Sequence, residues 1–99
     1  MKYKVKFPSH SVESKFNKVL SKIPQDIQNE ILTEVENLAN NPYPYGKKIF
    51  KKLKPPIQFY LLTAQCRLRI GDYRALYQIE NNQLLIFVLK IGHRKNVYV

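Results

Sequence analysis

Three arginines in the stretch CRLRIGDYRALYQI, residues 66 to 79, are the first groups able to do chemistry. Leu68 and Ile70 alternate with Arg67 and Arg69, so a strand here sends apolar side chains to one face and guanidiniums to the other. Gly71 and Asp72 read as a tight turn, after which YRALYQIE returns as a second strand carrying Arg74. Guanidiniums gathered on one sheet face repel one another unless an anion meets them. Their planar forks hold two phosphate oxygens at once, so a nucleic-acid backbone suits them.

A second informative stretch, KIGHRKNVYV (residues 90–99), adds His93, Arg94 and Tyr98. Metal-free RNA cleavage needs a group to take the proton from a ribose 2′-hydroxyl. It also needs positive charge on the phosphorane and a proton for the leaving oxygen. Arginines meet the need for charge, but with pKa values above about 12 they carry protons poorly. His93, with a reference pKa of about 6.5, is the expected proton shuttle. Tyr98 is suited to orient the substrate, stack on a base or move a proton.

Other chemistries find little support. His10 and His93 have no paired spacing and no carboxylate cluster near them, so no metal site is expected. Gly46, Gly71 and Gly92 are the only glycines, and none opens a helix as a phosphate-cradling loop would require. Asp72 is the sole candidate to orient His93 in a nucleophilic triad, and a turn role suits it better. No cofactor is implied. Cys66, the only cysteine, reads as a small packing residue; it excludes an internal disulfide and fits a reducing cytoplasm.

The charge supports an anionic partner. Residues 1–40 hold six basic and five acidic residues, a net of +1, whereas residues 41–99 hold eleven and two, a net of +9. Nucleic acid is the partner such asymmetry favours, with an anionic membrane surface or a plain solvated face as the other readings. Lys47, Lys48, Lys51, Lys52 and Lys54 fall within eight positions. With Lys95 they are expected to bind RNA. The longest apolar run, Leu84 to Leu89, is six residues, far too short to span a membrane. The N-terminal MKYKVKFPSHS alternates lysines with Tyr3, Val5 and Phe7, a strand pattern rather than a signal peptide.

These residues need elements to position them. Residues 2–7 read as a strand. Val12, Phe16, Val19, Leu20 and Ile23 fall at helical spacing within 11–22, with Ser9 and Ser11 available as caps. Pro24 suits the start of a second helix within 25–40, whose stripe is Ile27, Ile31, Val35 and Leu38. The lysine run reads as a loop. Strands are then expected at 59–70, 73–80 and 84–91, broken at Gly71–Asp72 and at Asn81–Asn82. The doubly apolar LLIFVL should be central. The order β-α-α-β-β-β makes one α+β domain over residues 1–99, a helix hairpin on one face of a small, mainly antiparallel four-stranded sheet. The other face is expected to stand open as a concave cationic surface.

RLRIGDYRALYQI followed by LIFVLKIGHRKNVY resembles the RelE/ParE superfamily of toxin–antitoxin toxins, and specifically its RelE branch. The resemblance covers nearly the whole chain and implies a RelE-like fold. It also implies a ribosome-dependent endoribonuclease that cuts messenger RNA in the decoding site and is silenced by a cognate antitoxin. By motif, the family's catalytic cations and tyrosine fall on Arg67, Arg69, Arg74, Arg94 and Tyr98. The best-studied branch carries lysines where this chain has Arg67 and Arg69, and His93 beside Arg94 is a variant of other members. The ParE branch shares the fold but poisons DNA gyrase, and a non-enzymatic RNA-binding module would keep the basic face without turnover.

Overall fold

The computed structural model describes residues 2–59 and 61–98. Its elements are β1 (Lys4–Lys6), α1 (His10–Leu20), α2 (Gln25–Asn37), β2 (Phe50–Phe59), β3 (Leu62–Ile70), β4 (Tyr73–Glu80) and β5 (Leu85–His93). They form a five-stranded sheet in the order β1-β5-β4-β3-β2, with β1 parallel to β5 and the other pairs antiparallel.

The α+β class, the two helices and the strands expected at 73–80 and 84–91 fall close to where the sequence places them, whereas the strand expected at 59–70 begins at Leu62 because Phe59 ends β2 and pairs back with it. The four-stranded sheet does not stand, because the lysine run is β2 rather than a loop. The reason lies at the sheet edge. An edge strand has one open flank, so lysines and prolines that would disqualify a central strand are tolerated there and protect against stray pairing. Leu53 is buried and Phe50, Ile57 and Phe59 are half-buried, while Lys51, Lys52, Lys54, Pro55 and Pro56 stay exposed. Pairing with β3 shifts register between Lys52 and Ile57, where the prolines interrupt the ladder. Residue 60, inside the expected strand 59–70, lies outside the described residues.

Local signals fix the helix ends. Ser9 Oγ accepts from Val12 N at 3.2 Å, capping α1. Pro24 O accepts from Ile27 N at 3.0 Å and Gln28 N at 2.9 Å at the start of α2. Phe16, Leu20, Ile23, Ile31, Val35 and Leu38 pack on one sheet face with Cys66, Leu68, Ile70, Ala75, Tyr77, Ile79, Ile86, Val88 and Ile91. Tyr3, Val5, Phe7 and Ile27 pack half-buried at its margin. The β3–β4 turn has Gly71 at φ +59°, the first position of a two-residue hairpin turn in which glycine is favoured. In the β4–β5 turn the positive φ, +53°, falls instead on Leu84. Asn81 there ties the loop down, accepting from Tyr3 Oη at 2.6 Å and donating to Tyr43 Oη at 3.3 Å.

The opposite face is not the bare cationic surface expected. Leu53, Ala64, Leu76, Leu89 and Val97 form a second buried cluster there, flanked by Ile57, Phe59, Leu62 and Phe87. A bulge supplies one member: Leu76 pairs with Lys90 and Tyr77 with Val88, leaving Leu89 as the extra residue of β5. No helix among the described residues is long and apolar enough to cross a membrane.

Cys66 pairs with Tyr77 across β3 and β4 inside the helix-side cluster. Burial pushes the Cys66 thiol up to about 11 from an ordinary value of 9.0. The Tyr77 phenol is also raised, mainly by burial, and its Oη donates to Pro42 O at 3.0 Å. Both groups are neutral when folded, with pKa values above those of the unfolded chain. Their contribution to stability is therefore complete below about pH 9 and is lost as pH rises beyond it. Thermal melts across pH 7–11 should show a flat Tm and then a decline; a Tm rising above pH 9 would contradict the assignment.

Candidate functional site

Cross-strand register gathers the arginines. Arg69 pairs with Arg74, and Arg67 pairs with Leu76 on one side and with Lys51 on the other. Directly paired residues share a face. Leu68 and Ile70 point into the helix-side cluster, so Arg67, Arg69, Arg74 and Lys51 project from the opposite face.

The C-terminal residues arrive there by a fold-back. Arg74 pairs with Gly92, and a Cβ at Gly92 would lie 3.4 Å from both Cα and Cβ of Val97. The segment after β5 thus turns back and lies directly against the strand, with Val97 over Gly92. Val97 N and Asn96 N both donate to His93 O, at 2.9 and 2.8 Å, closing that turn. Val97 is fully buried in the second apolar cluster, which anchors Tyr98 beside the arginines at 40% exposure. Arg94 is held at the β3–β4 turn: its N donates to Asp72 O at 2.7 Å and its Nε lies 3.8 Å from Asp72 Oδ1. Both side chains are more than half exposed, so this ion pair positions Arg94 more than it stabilises the fold. Asp72 thus serves the turn and Arg94, not His93.

Arg74 occupies the middle of the set. Its Nη1 donates to Gly71 O and to Tyr73 O, each at 2.9 Å, which fixes the guanidinium against its own hairpin. Burial lowers its pKa, as do Arg67, Arg69 and Arg94, while Tyr98 acts in the opposite sense. An arginine so held remains charged; Asp72 partly offsets Arg94, while Arg67, Arg69 and Arg74 have no acidic partner among the described residues. Arg67 Nε is buried with no hydrogen-bond partner among the described residues. Such orphaned donors are uncommon in folded proteins.

Two parts of the expected site lie elsewhere. His93 pairs with Tyr73, whose ring belongs to the helix-side cluster, and the two rings meet edge to face at 5.8 Å. Its Nδ1 accepts from Lys95 N at 3.2 Å, so the neutral ring carries its proton on Nε2. Strand alternation puts this imidazole on the side of the sheet away from Arg74, and it does not join the arginine set. The lysine run is likewise divided. Lys51 shares the arginine face through its pairing with Arg67, but Lys52 pairs with Cys66 and faces the helix side. Lys47 and Lys48 are exposed before β2, Lys54 is exposed at the register shift, and Lys95 is exposed in the C-terminal turn. Among the described residues no group of His, Cys, Asp and Glu is placed to hold a metal ion.

Gly92, Val97 and Leu76 support the site through contacts that neither strand alternation nor helical spacing reveals. ALY, three consecutive buried residues in β4, carried a signal that both faces of the sheet are covered.

A model of the ParE toxin of type II toxin–antitoxin systems matches residues 8–98. The chain belongs to the RelE/ParE toxin family. It is a type II toxin–antitoxin toxin with the RelE-like fold. The RelE of the archaeal RelE–RelB complex from Pyrococcus horikoshii is 27% identical over 98% of this toxin and 100% of that chain, at a TM-score of 0.71. A chain of the toxin–antitoxin complex RelBE2 from Mycobacterium tuberculosis is 23% identical over 97% and 95%, at 0.64. A double arginine-to-alanine mutant of E. coli RelE in the free state is 17% identical over 96% and 86%, at 0.56. No curated protein matches the toxin.

Proposed function

We propose that the toxin, acting as one domain in the cytoplasm, is a ribosome-dependent endoribonuclease that cleaves messenger RNA in the decoding site. The observation that carries this reading is the convergence of Arg67, Arg69, Arg74, Arg94 and Tyr98 on one face.

The reaction is a transesterification. The ribose 2′-oxygen bonds to the adjacent phosphorus, the bond from phosphorus to the 5′-oxygen breaks, and a 2′,3′-cyclic phosphate remains. The proton leaves the 2′-hydroxyl and one is delivered to the 5′-oxygen. Arg67, Arg69, Arg74 and Arg94 stabilise the charge that grows on the phosphorane. With His93 across the sheet, Tyr98 is the group on this face able to orient the nucleotide and exchange a proton. No metal is invoked. The Pyrococcus and Mycobacterium relatives occur in toxin–antitoxin complexes, and an acidic, partly apolar antitoxin segment is the partner proposed to silence this face.

Purified toxin incubated with programmed ribosomes tests the reading: cut messenger supports it. Intact messenger together with inhibited gyrase supercoiling would transfer the toxin to the gyrase-poisoning reading, which the ParE family model favours. RNA binding with neither effect would leave a binding module.

Two further outcomes follow. His93→Gln should leave the pH–rate profile of cleavage unchanged, whereas Tyr98→Phe should lower the rate and alter that profile; the reverse result would return the proton-transfer role to the imidazole. Affinity for RNA should fall steeply with salt, and each phosphate-contacting cation removed should lower the log–log slope by about 0.7 to 0.9. Salt-insensitive binding would count against nucleic acid as the partner.

A further inference from the structure

A group of aromatic rings outside the arginine face is not used by the proposed reaction. Between α2 and β2, Tyr43 and Tyr45 stack with ring centroids 5.8 Å apart and planes within 6° of parallel. Phe50 meets Tyr45 edge to face at 5.2 Å and 83°. Tyr43 is itself held, packing against the helix-side cluster and accepting from Asn81 Nδ2 at 3.3 Å. The ring of Tyr45 is thus fixed from two directions, yet the residue is 66% exposed. The braced ring therefore keeps most of its surface open to solvent, where a planar ligand can reach it.

Its surroundings are strongly cationic. Residues 43–54 contain five lysines and no acidic residue. Lys47, Lys48, Lys51, Lys52 and Lys54 make no ion pair among the described residues. The segment is also tied directly to the arginine face. Ile49 O accepts from Arg69 N at 2.7 Å, Phe50 pairs with Leu68, and the next residue, Lys51, pairs with Arg67. Because Lys51 and Lys52 project to opposite faces of the edge strand, cations run around that edge from the Tyr45 side to the arginines.

We propose that Tyr45, braced by Tyr43 and Phe50 and flanked by Lys47, Lys48 and Lys52, is a stacking subsite for an unpaired nucleobase. The base belongs to the RNA strand whose backbone crosses the arginine face, so this inference rests on the RNA reading of that face. An immobilised aromatic beside cations is the arrangement by which single strands are gripped with little sequence preference. A ring already braced loses little freedom when a base lands on it.

The test is fluorescence anisotropy of the full-length toxin with labelled oligouridine, and with the same oligomer carrying abasic sites. Tyr45→Ala should weaken oligouridine binding about 5- to 100-fold, as for loss of one base–aromatic stack. Tyr45→Phe should bind like wild type, since the ring remains. The salt slope should be unchanged in Tyr45→Ala, because no cation is lost, but reduced in Lys47→Ala. The abasic oligomer should bind wild type and Tyr45→Ala equally. Unaltered oligouridine affinity in Tyr45→Ala, or an equal loss with the abasic oligomer or in Tyr45→Phe, overturns the subsite while leaving the RNA reading intact. Wild-type toxin that binds neither oligomer also overturns the subsite, while cleavage on programmed ribosomes decides the RNA reading of the arginine face separately.

Discussion

Replacing Arg74 with alanine should cut the rate of messenger cleavage on programmed ribosomes by about 10²–10³-fold, the loss typical of one preorganised charge donor. Arg74 is the cation most firmly placed, paired with Arg69 across the hairpin and donating from Nη1 to the carbonyls of Gly71 and Tyr73. Those bonds hold one nitrogen and leave the rest of the guanidinium to face a phosphate. Folding should survive, since the Gly71 and Tyr73 carbonyls can accept from water instead and the two lost hydrogen bonds together cost on the order of 1–3 kcal/mol. Arg74→Lys should recover only part of the rate, because the charge returns without the two-pronged fork. An Arg74→Ala toxin that folds normally and cuts at the wild-type rate would remove the arginine face from the chemistry. The endoribonuclease reading would then stand on other groups, with the charge-stabilising role taken away from Arg74.

Ile31→Ala should destabilise the toxin by about 2–5 kcal/mol, the range for truncating a fully buried aliphatic side chain. Ile31 is 0% exposed at the middle of the α2 stripe, in the cluster that joins the helices to Cys66, Leu68, Tyr77 and Val88. Its loss opens a cavity where helix and sheet meet, and neither element can shift freely to fill it. In a domain of this size each kcal/mol corresponds to roughly 4–8 °C in Tm, so denaturant titration and thermal melts both resolve the change. A variant within about 0.5 kcal/mol of wild type would mean that the helix hairpin is not seated on the sheet as described.

The two predictions draw on different kinds of information. Ile31 was identifiable from its helical spacing with Ile27, Val35 and Leu38, because a period of 3.6 states which side of a helix is dry. Arg67, Arg69 and Arg74 were identifiable for a related reason. Alternation with Leu68 and Ile70, and the Gly71–Asp72 turn, fix strand, face and return within one short segment. The helix pair, strands at 59–70, 73–80 and 84–91 that overlap β3, β4 and β5, and the common face of Arg67, Arg69 and Arg74 were therefore legible without coordinates.

What the sequence left open depended on contacts distant along the chain. Lys51, Lys52 and Lys54 read as loop because charge and proline argue against a central strand, and only the sheet order shows that β2 lies at the edge. His93 stands next to Arg94 in the sequence, but its face is set by pairing with Tyr73, which turns the imidazole away from Arg74. Tyr98 reaches the arginines because Val97 folds back over Gly92 and is buried with Leu53, Ala64, Leu76 and Leu89. Local periodicity determines which side chains share a face of one element. Register and sheet order, fixed by the packing of remote segments, decide which elements bring their faces together.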